Sequence, residues 1–146
     1  RAVEATVQLA GIAASENRAE LAQSLYQEAL DASPANTVLG RSVRWNMGWF
    51  AFRQGNHEQA RTLWLQALDN TRSAPSWAPP TLALLAQAQG DDAAAVKWFA
   101  AAVRTEPMQW SDTANFERLL PLWTPAERQM LVQVHQAWVA APPSWP

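Results

Sequence analysis

Residues able to do chemistry are few in this chain and far apart. There are two histidines and no cysteine among 146 residues. Without cysteine there is no disulfide, no thiol nucleophile and no thiolate-ligated zinc or iron–sulfur site. His57 follows Gly55-Asn56, and His135 lies near the C-terminal end. Neither has a His-x3-His partner or acids at ligand spacing. His57 therefore reads as a surface residue in the first turn of a helix. Asp91-Asp92 could be taken for a metal or acid pair. The positive end of the helix that follows them explains both carboxylates without a metal. No serine sits in a G-x-S-x-G turn, and no glycine-rich phosphate loop is present. The expectation is a protein that is not an enzyme, with no catalytic residue, metal or cofactor.

Charge excludes a further class. The formal net charge is −2, and Lys97 is the only lysine among 11 cationic residues. The arginines are interleaved with acids, whereas nucleic-acid binding needs several cations on one face. No nucleic-acid partner is expected. No apolar run reaches the ~18 residues of a membrane span. Arg1 in place of Met and the missing cysteine fit a processed, exported bacterial protein. A periplasmic location is therefore favoured over a cytoplasmic one, although cysteine-free chains occur in both.

What the sequence does concentrate is tryptophan, nine residues in all. Trp45, Trp49 and Trp64 fall within residues 41 to 70, RSVRWNMGWFAFRQGNHEQARTLWLQALDN. This stretch reads as two helices folded back at Gly55-Asn56, from about Val38 to Gln54 and from His57 to Asn70. Gly55 is placed for the left-handed position after a helix, and Asn56 can cap the next one. Gly48, Ala60 and Ala67 are small enough for the two helices to approach closely.

Similar segments flank this pair. Val3, Val7, Ala10 and Ala14 recur at helical spacing, and Ser15-Glu16-Asn17 break the pattern. Residues 18 to 31 carry a stripe of Leu21, Leu25 and Ala29 beside Ala22 and Tyr26. Ser33-Pro34 ends it. After a proline-rich connector over 71 to 80, a helix starts between Trp77 and Pro80 and stops at Gly90. The next helix ends before Pro107. Ser111 or Asp112 can cap a short helix that stops near Pro121. Thr124-Pro125-Ala126-Glu127 is a capping box with proline at the first helical position, and it opens a helix to about Ala140.

The second helices share a register. Ala22, Tyr26, Ala29 and Pro34 align with Ala60, Trp64, Ala67 and Arg72, and with Ala95, Phe99, Ala102 and Pro107. Units start near Val3, Arg41 and Ser76, at spacings of 38 and 35. Met130, Val134 and Ala137 continue the register into a C-terminal hairpin that would cap the array. With Met47-Gly48 in the first helix, this pattern resembles the tetratricopeptide repeat over residues 3 to 109. Ala51 and Arg44 stand where that family has tyrosine and tryptophan, and Leu9-Ala10 and Leu82-Ala83 replace its Leu-Gly pair. Trp64, like Tyr26 and Phe99, belongs to the repeated framework.

The resemblance implies an all-α fold. It would be a right-handed superhelical array of antiparallel helix pairs, a single solenoid domain of about eight helices. Its units would span about 3–37, 41–74 and 76–109, with a capping hairpin over 110–141 and a tail over 142–146. It also implies that the first helices line a concave groove. In the central unit those positions are Ser42, Trp45, Asn46, Trp49, Phe52 and Arg53. In the third they include Trp77, Thr81, Leu84, Gln87 and Ala88, and in the first Glu4, Val7, Gln8 and Gly11. The Lys/Asn carboxylate clamp of some family members lacks its lysine here, though Arg41, Arg44 or Arg53 could pair an acidic peptide. Trp45, Asn46, Trp49, Phe52, Arg53, Trp77, Thr81 and Leu84 are the candidate binding residues.

The expected function is a scaffold that holds a protein or peptide segment in this aromatic groove. Two other readings compete. The tryptophans could bury in a homo-oligomeric interface of an envelope protein, or stack on a glycan. The apolar tail with Trp145 could fold back into a groove.

Overall fold

The computed structural model describes residues 2–69 and 75–144. Arg72, Trp145 and Pro146, which the sequence reading used, lie outside the described residues. The described part is all-α. Contacts divide the chain into two compact units, Arg1–Arg72 and Ser73–Pro146.

The first unit is two helical pairs. Helices α1 (Val3–Ser15) and α2 (Ala19–Asp31) form one, α3 (Val38–Arg53) and α4 (His57–Leu68) the other. In the second unit, α5 (Ala78–Ala88) pairs with α6 (Asp92–Thr105). Short elements follow: α7 (Pro107–Trp110), a 3-10 turn (Thr113–Asn115) and α8 (Phe116–Leu119). Helix α9 (Pro125–Ala140) then packs against both α5 and α6. Nine α-helices are thus described, against the eight or so expected. The additional one is α7, because Pro107 starts a helical turn as well as ending the previous helix.

One turn recurs within each of the three pairs. Asn17, Gly55 and Gly90 all take positive φ, of 61°, 83° and 78°. The residue after each donates its N–H five residues back: Arg18 to Ala13, Asn56 to Ala51 and Asp91 to Ala86, at 2.8, 2.9 and 2.9 Å. The left-handed residue itself donates to Ala14, Phe52 or Gln87. These two bonds satisfy carbonyls that a helix end otherwise leaves orphaned. Arg18, Asn56 and Asp91 are 38 and 35 residues apart, the spacings of the side-chain register. Only asparagine at the first turn is under steric load from positive φ. Asn17→Gly is expected to raise stability by up to about 1 kcal/mol. Thermal unfolding followed by circular dichroism checks this, and a lowered melting temperature would contradict it.

The helices are capped as their sequences ask. Asn56 accepts from Gln59 N–H (3.2 Å) and Asp91 from Ala94 N–H (3.1 Å). Asp112 accepts from Ala114 N–H (2.9 Å). The capping box is complete: Glu127 N–H donates to Thr124 Oγ1 (3.1 Å), and Thr124 N–H donates to Glu127 Oε1 (2.9 Å). Thr37 also caps α3, accepting from Gly40 N–H (2.9 Å). The rule for the second helices holds in the packing. Ala22, Ala60, Ala95, Tyr26, Trp64, Phe99, Ala29, Ala67 and Ala102 are all buried.

Two buried faces depart from the expected ones. In α1 the buried residues are Thr6, Ala10 and Ala13, while Val3, Val7 and Ala14 are half-buried. The Thr6 hydroxyl reconciles burial with polarity through its contacts with the Ala2 carbonyl (3.1 Å) and Glu28 Oε2 (3.1 Å). In α3 Arg44 is buried, and its Nη1 donates to the carbonyls of Ser33 (3.1 Å) and Gly40 (3.0 Å). It ties the end of the first pair to the start of the second. That contact occupies Arg44 inside the fold, not on a binding surface.

Candidate functional site

Five of the candidate residues lie on one helix, α3, and three of them join one aromatic cluster. At its centre is Trp64 of α4, fully buried. Its Nε1–H donates to the Trp45 backbone carbonyl (3.2 Å). The indole lies along α3 only because residue 48 is glycine: a Cβ there would collide with Trp64 Nε1 and Cδ1. Trp45 and Trp49, one helical turn apart, flank it. Ring centroids are 5.9 Å apart for Trp45–Trp64, 5.1 Å for Trp49–Trp64 and 5.9 Å for Trp45–Trp49. Phe52 closes the cluster against Trp49 (5.9 Å), Trp64 (5.8 Å) and His57 (5.2 Å). Edge and tilted contacts of this kind contribute about 0.5–1.5 kcal/mol each beyond burial.

Exposure separates these residues. Phe52 is buried, whereas Trp45, Asn46 and Trp49 are half-buried and Arg53 is exposed. The Arg53 guanidinium lies over the Trp49 ring, 4.8 Å from its centroid, a cation–π contact. Asn46 Nδ2 donates to the Ser42 carbonyl of its own helix (2.8 Å). Tyr26 of α2 packs against α3 at Phe50, ring centroids 5.3 Å apart. Burial pushes the Tyr26 phenol above its ordinary value, and the Arg53 charge partly opposes that. The Tyr26 hydroxyl also reaches toward Gly11 of α1, where a Cβ would sit 4.0 Å away. Gly11 of α1 thus faces Tyr26, which lies within electrostatic reach of Arg53.

The other three candidates belong to the second unit. Trp77 is half-buried at the start of α5. Thr81 and Leu84 are both buried, and the Thr81 hydroxyl donates to the Trp77 carbonyl (2.7 Å). Helix α5 is buried on every residue from Ala78 to Ala86. Thr81 and Leu84 thus contribute packing rather than open surface.

Sequence reading missed a second aromatic cluster. Phe99 of α6, Phe116 of α8, and His135 and Trp138 of α9 come together. Their centroids are 6.1 Å apart for Phe99–Phe116, 5.7 Å for Phe99–His135 and 5.8 Å for Phe99–Trp138. Trp110 of α7 adds to it, 6.0 Å from Phe116. His135 Nε2 lies 2.8 Å from the Ser111 carbonyl, which can only accept, so Nε2 carries the proton. The sequence signal was present in Trp110, Phe116 and Trp138, but they come from separate short elements that no periodicity joins. His135 serves here as a packing and tethering residue.

Among the described residues no group of three or more His, Cys, Asp or Glu is placed to hold a metal ion. No helix among them is long and apolar enough to cross a membrane. Fold and site together define an all-α protein built from antiparallel helical pairs, with an aromatic face on α3. No protein-family model matches the chain, and no curated protein matches it.

Proposed function

We propose that this chain is a non-enzymatic binding scaffold of the tetratricopeptide type. It holds a peptide or protein segment against the α3 face of the first unit. The observation that supports this reading most is the pair Trp45 and Trp49, half-buried with exposed Arg53 stacked on Trp49. An aromatic surface held in place from behind by Trp64 loses little side-chain freedom on binding, and tryptophan beside arginine is the usual composition of an energetic anchor. The partner that suits it presents an apolar or aromatic side chain to the two indoles and a carboxylate to Arg53. Asn46 supplies a polar group at the edge.

Selection from a displayed peptide library on the immobilised chain tests this. Enriched peptides are expected to pair an acidic residue with an aromatic or aliphatic one. Arg53→Glu is expected to weaken their binding by about tenfold or more, some 1.4 kcal/mol, with the thermal melt little changed. Selected peptides indifferent to both Arg53→Glu and Trp45→Ala would remove the reading.

A further inference from the structure

Helix α1 carries an apolar row that no part of the described structure covers. Leu9 is 41% and Ile12 55% exposed, and Ala5, one turn before Leu9, is exposed as well. The repeat spacing identifies what this row corresponds to. A shift of 38 residues places Ala5, Leu9 and Ile12 on Val43, Met47 and Phe50 of α3. Those three are buried, with exposures of 0%, 0% and 7%. Met47 and Phe50 share a core with Ala22, Leu25 and Tyr26 of α2, the second helix of the preceding pair. A further shift of 35 leads to Ala78, Leu82 and Leu85 of α5, also buried. The same positions are thus interior in two helices and open in one.

We infer that the Ala5–Leu9–Ile12 face of α1 is a docking surface for a further helical pair of this same kind. The second helix of that pair lies on α1 as α2 lies on α3. The occupant is amphipathic, with a small residue, then a leucine and an aromatic three and four positions on, the order of Ala22, Leu25 and Tyr26. A second copy of this chain does not supply that row from its last helix. In α9 the positions of Ala22, Leu25, Tyr26 and Ala29 hold Met130, Gln133, Val134 and Ala137. Gln133 and Ala137 are exposed, and Val134 is buried. Helix α9 therefore carries exposed residues at two of these positions, whereas α1 presents the face that α2 covers on α3.

A tethered duplicate tests the inference. Residues 3–37 are joined ahead of the full chain through a flexible Gly/Ser linker, which holds them at high effective concentration. Amide exchange in the original α1 is expected to slow by about tenfold or more. Leu9→Glu with Ile12→Glu in the original copy should abolish that slowing while leaving its helicity intact. Leu9→Met with Ile12→Phe rebuilds the α3 row on α1 and reports whether the tethered pair docks in principle. Unchanged exchange on the natural face overturns the inference, whether or not the rebuilt row docks. Dimerisation of the untethered chain that Ile12→Glu dissociates also overturns it, since a second copy would then be the occupant.

Discussion

Trp64→Ala is expected to destabilise the first unit by about 3–5 kcal/mol, the range for emptying a buried aromatic site. The residue is fully buried, and its neighbours cannot readily close the space. Trp45, Trp49 and Phe52 each rest a ring on it. Its removal also leaves the Trp45 carbonyl without the indole donor. Trp45→Ala removes a half-buried ring and should cost clearly less. Urea unfolding of both variants, followed by far-ultraviolet circular dichroism, gives the comparison. Equal losses would mean that Trp45 is framework to the same degree as Trp64.

Gly48→Ala should lower stability even though it improves helix propensity. In an exposed helix that exchange gains about 1 kcal/mol. Here the new methyl group would overlap the Trp64 indole at Nε1 and Cδ1. The indole cannot swing aside, because Trp45 and Trp49 flank it and its N–H is bonded to α3. Overpacking of this sort costs about 1–3 kcal/mol, enough to reverse the propensity gain. In a Trp64→Phe background the smaller ring withdraws, and Gly48→Ala should become neutral or stabilising. A double-mutant cycle on the urea midpoints measures the coupling. Additive effects would refute the account of why this position holds glycine while its counterparts Ala10 and Ala83 do not.

That contrast shows how far the fold could be read from residues. The register of the second helices was legible because small and aromatic residues recur at fixed positions. All nine of those residues proved buried. The turn at Asn17 was legible only as a break. Its left-handed backbone matches Gly55 and Gly90, and asparagine is the non-glycine residue that tolerates it best. Arg44 and Thr6 were not legible as interior residues. Periodicity assigns polar side chains to solvent, and only the tertiary partners of these two satisfy them inside. Pro107 was read as a stop when it also begins a turn. The Phe99–Phe116–His135–Trp138 cluster rests on contacts among three separate elements, which no local pattern encodes.

The candidate site was legible in part. Trp45 and Trp49 stood out because the neighbouring units do not repeat them. The sequence offered framework or binding surface as alternatives, and the packing gives both rings a framework contact. One side of each ring region rests against Trp64, and half-burial leaves the remainder at the surface. Thr81 and Leu84 were assigned by position in a repeat whose first helix is here buried along most of its length. A groove position does not stay open when the whole helix is interior.

The central claim is that Trp45, Trp49 and Arg53 form the face that holds a partner. The chain has several other tryptophans, including exposed Trp98 and buried Trp123, as internal references. The most direct measurement follows the indole N–H resonances of the assigned protein during titration with a selected acidic, aromatic peptide. The account predicts saturable shifts at Trp45 and Trp49, with Trp98 and Trp123 unmoved. Saturable binding that moves other indoles and leaves both Trp45 and Trp49 in place would contradict it.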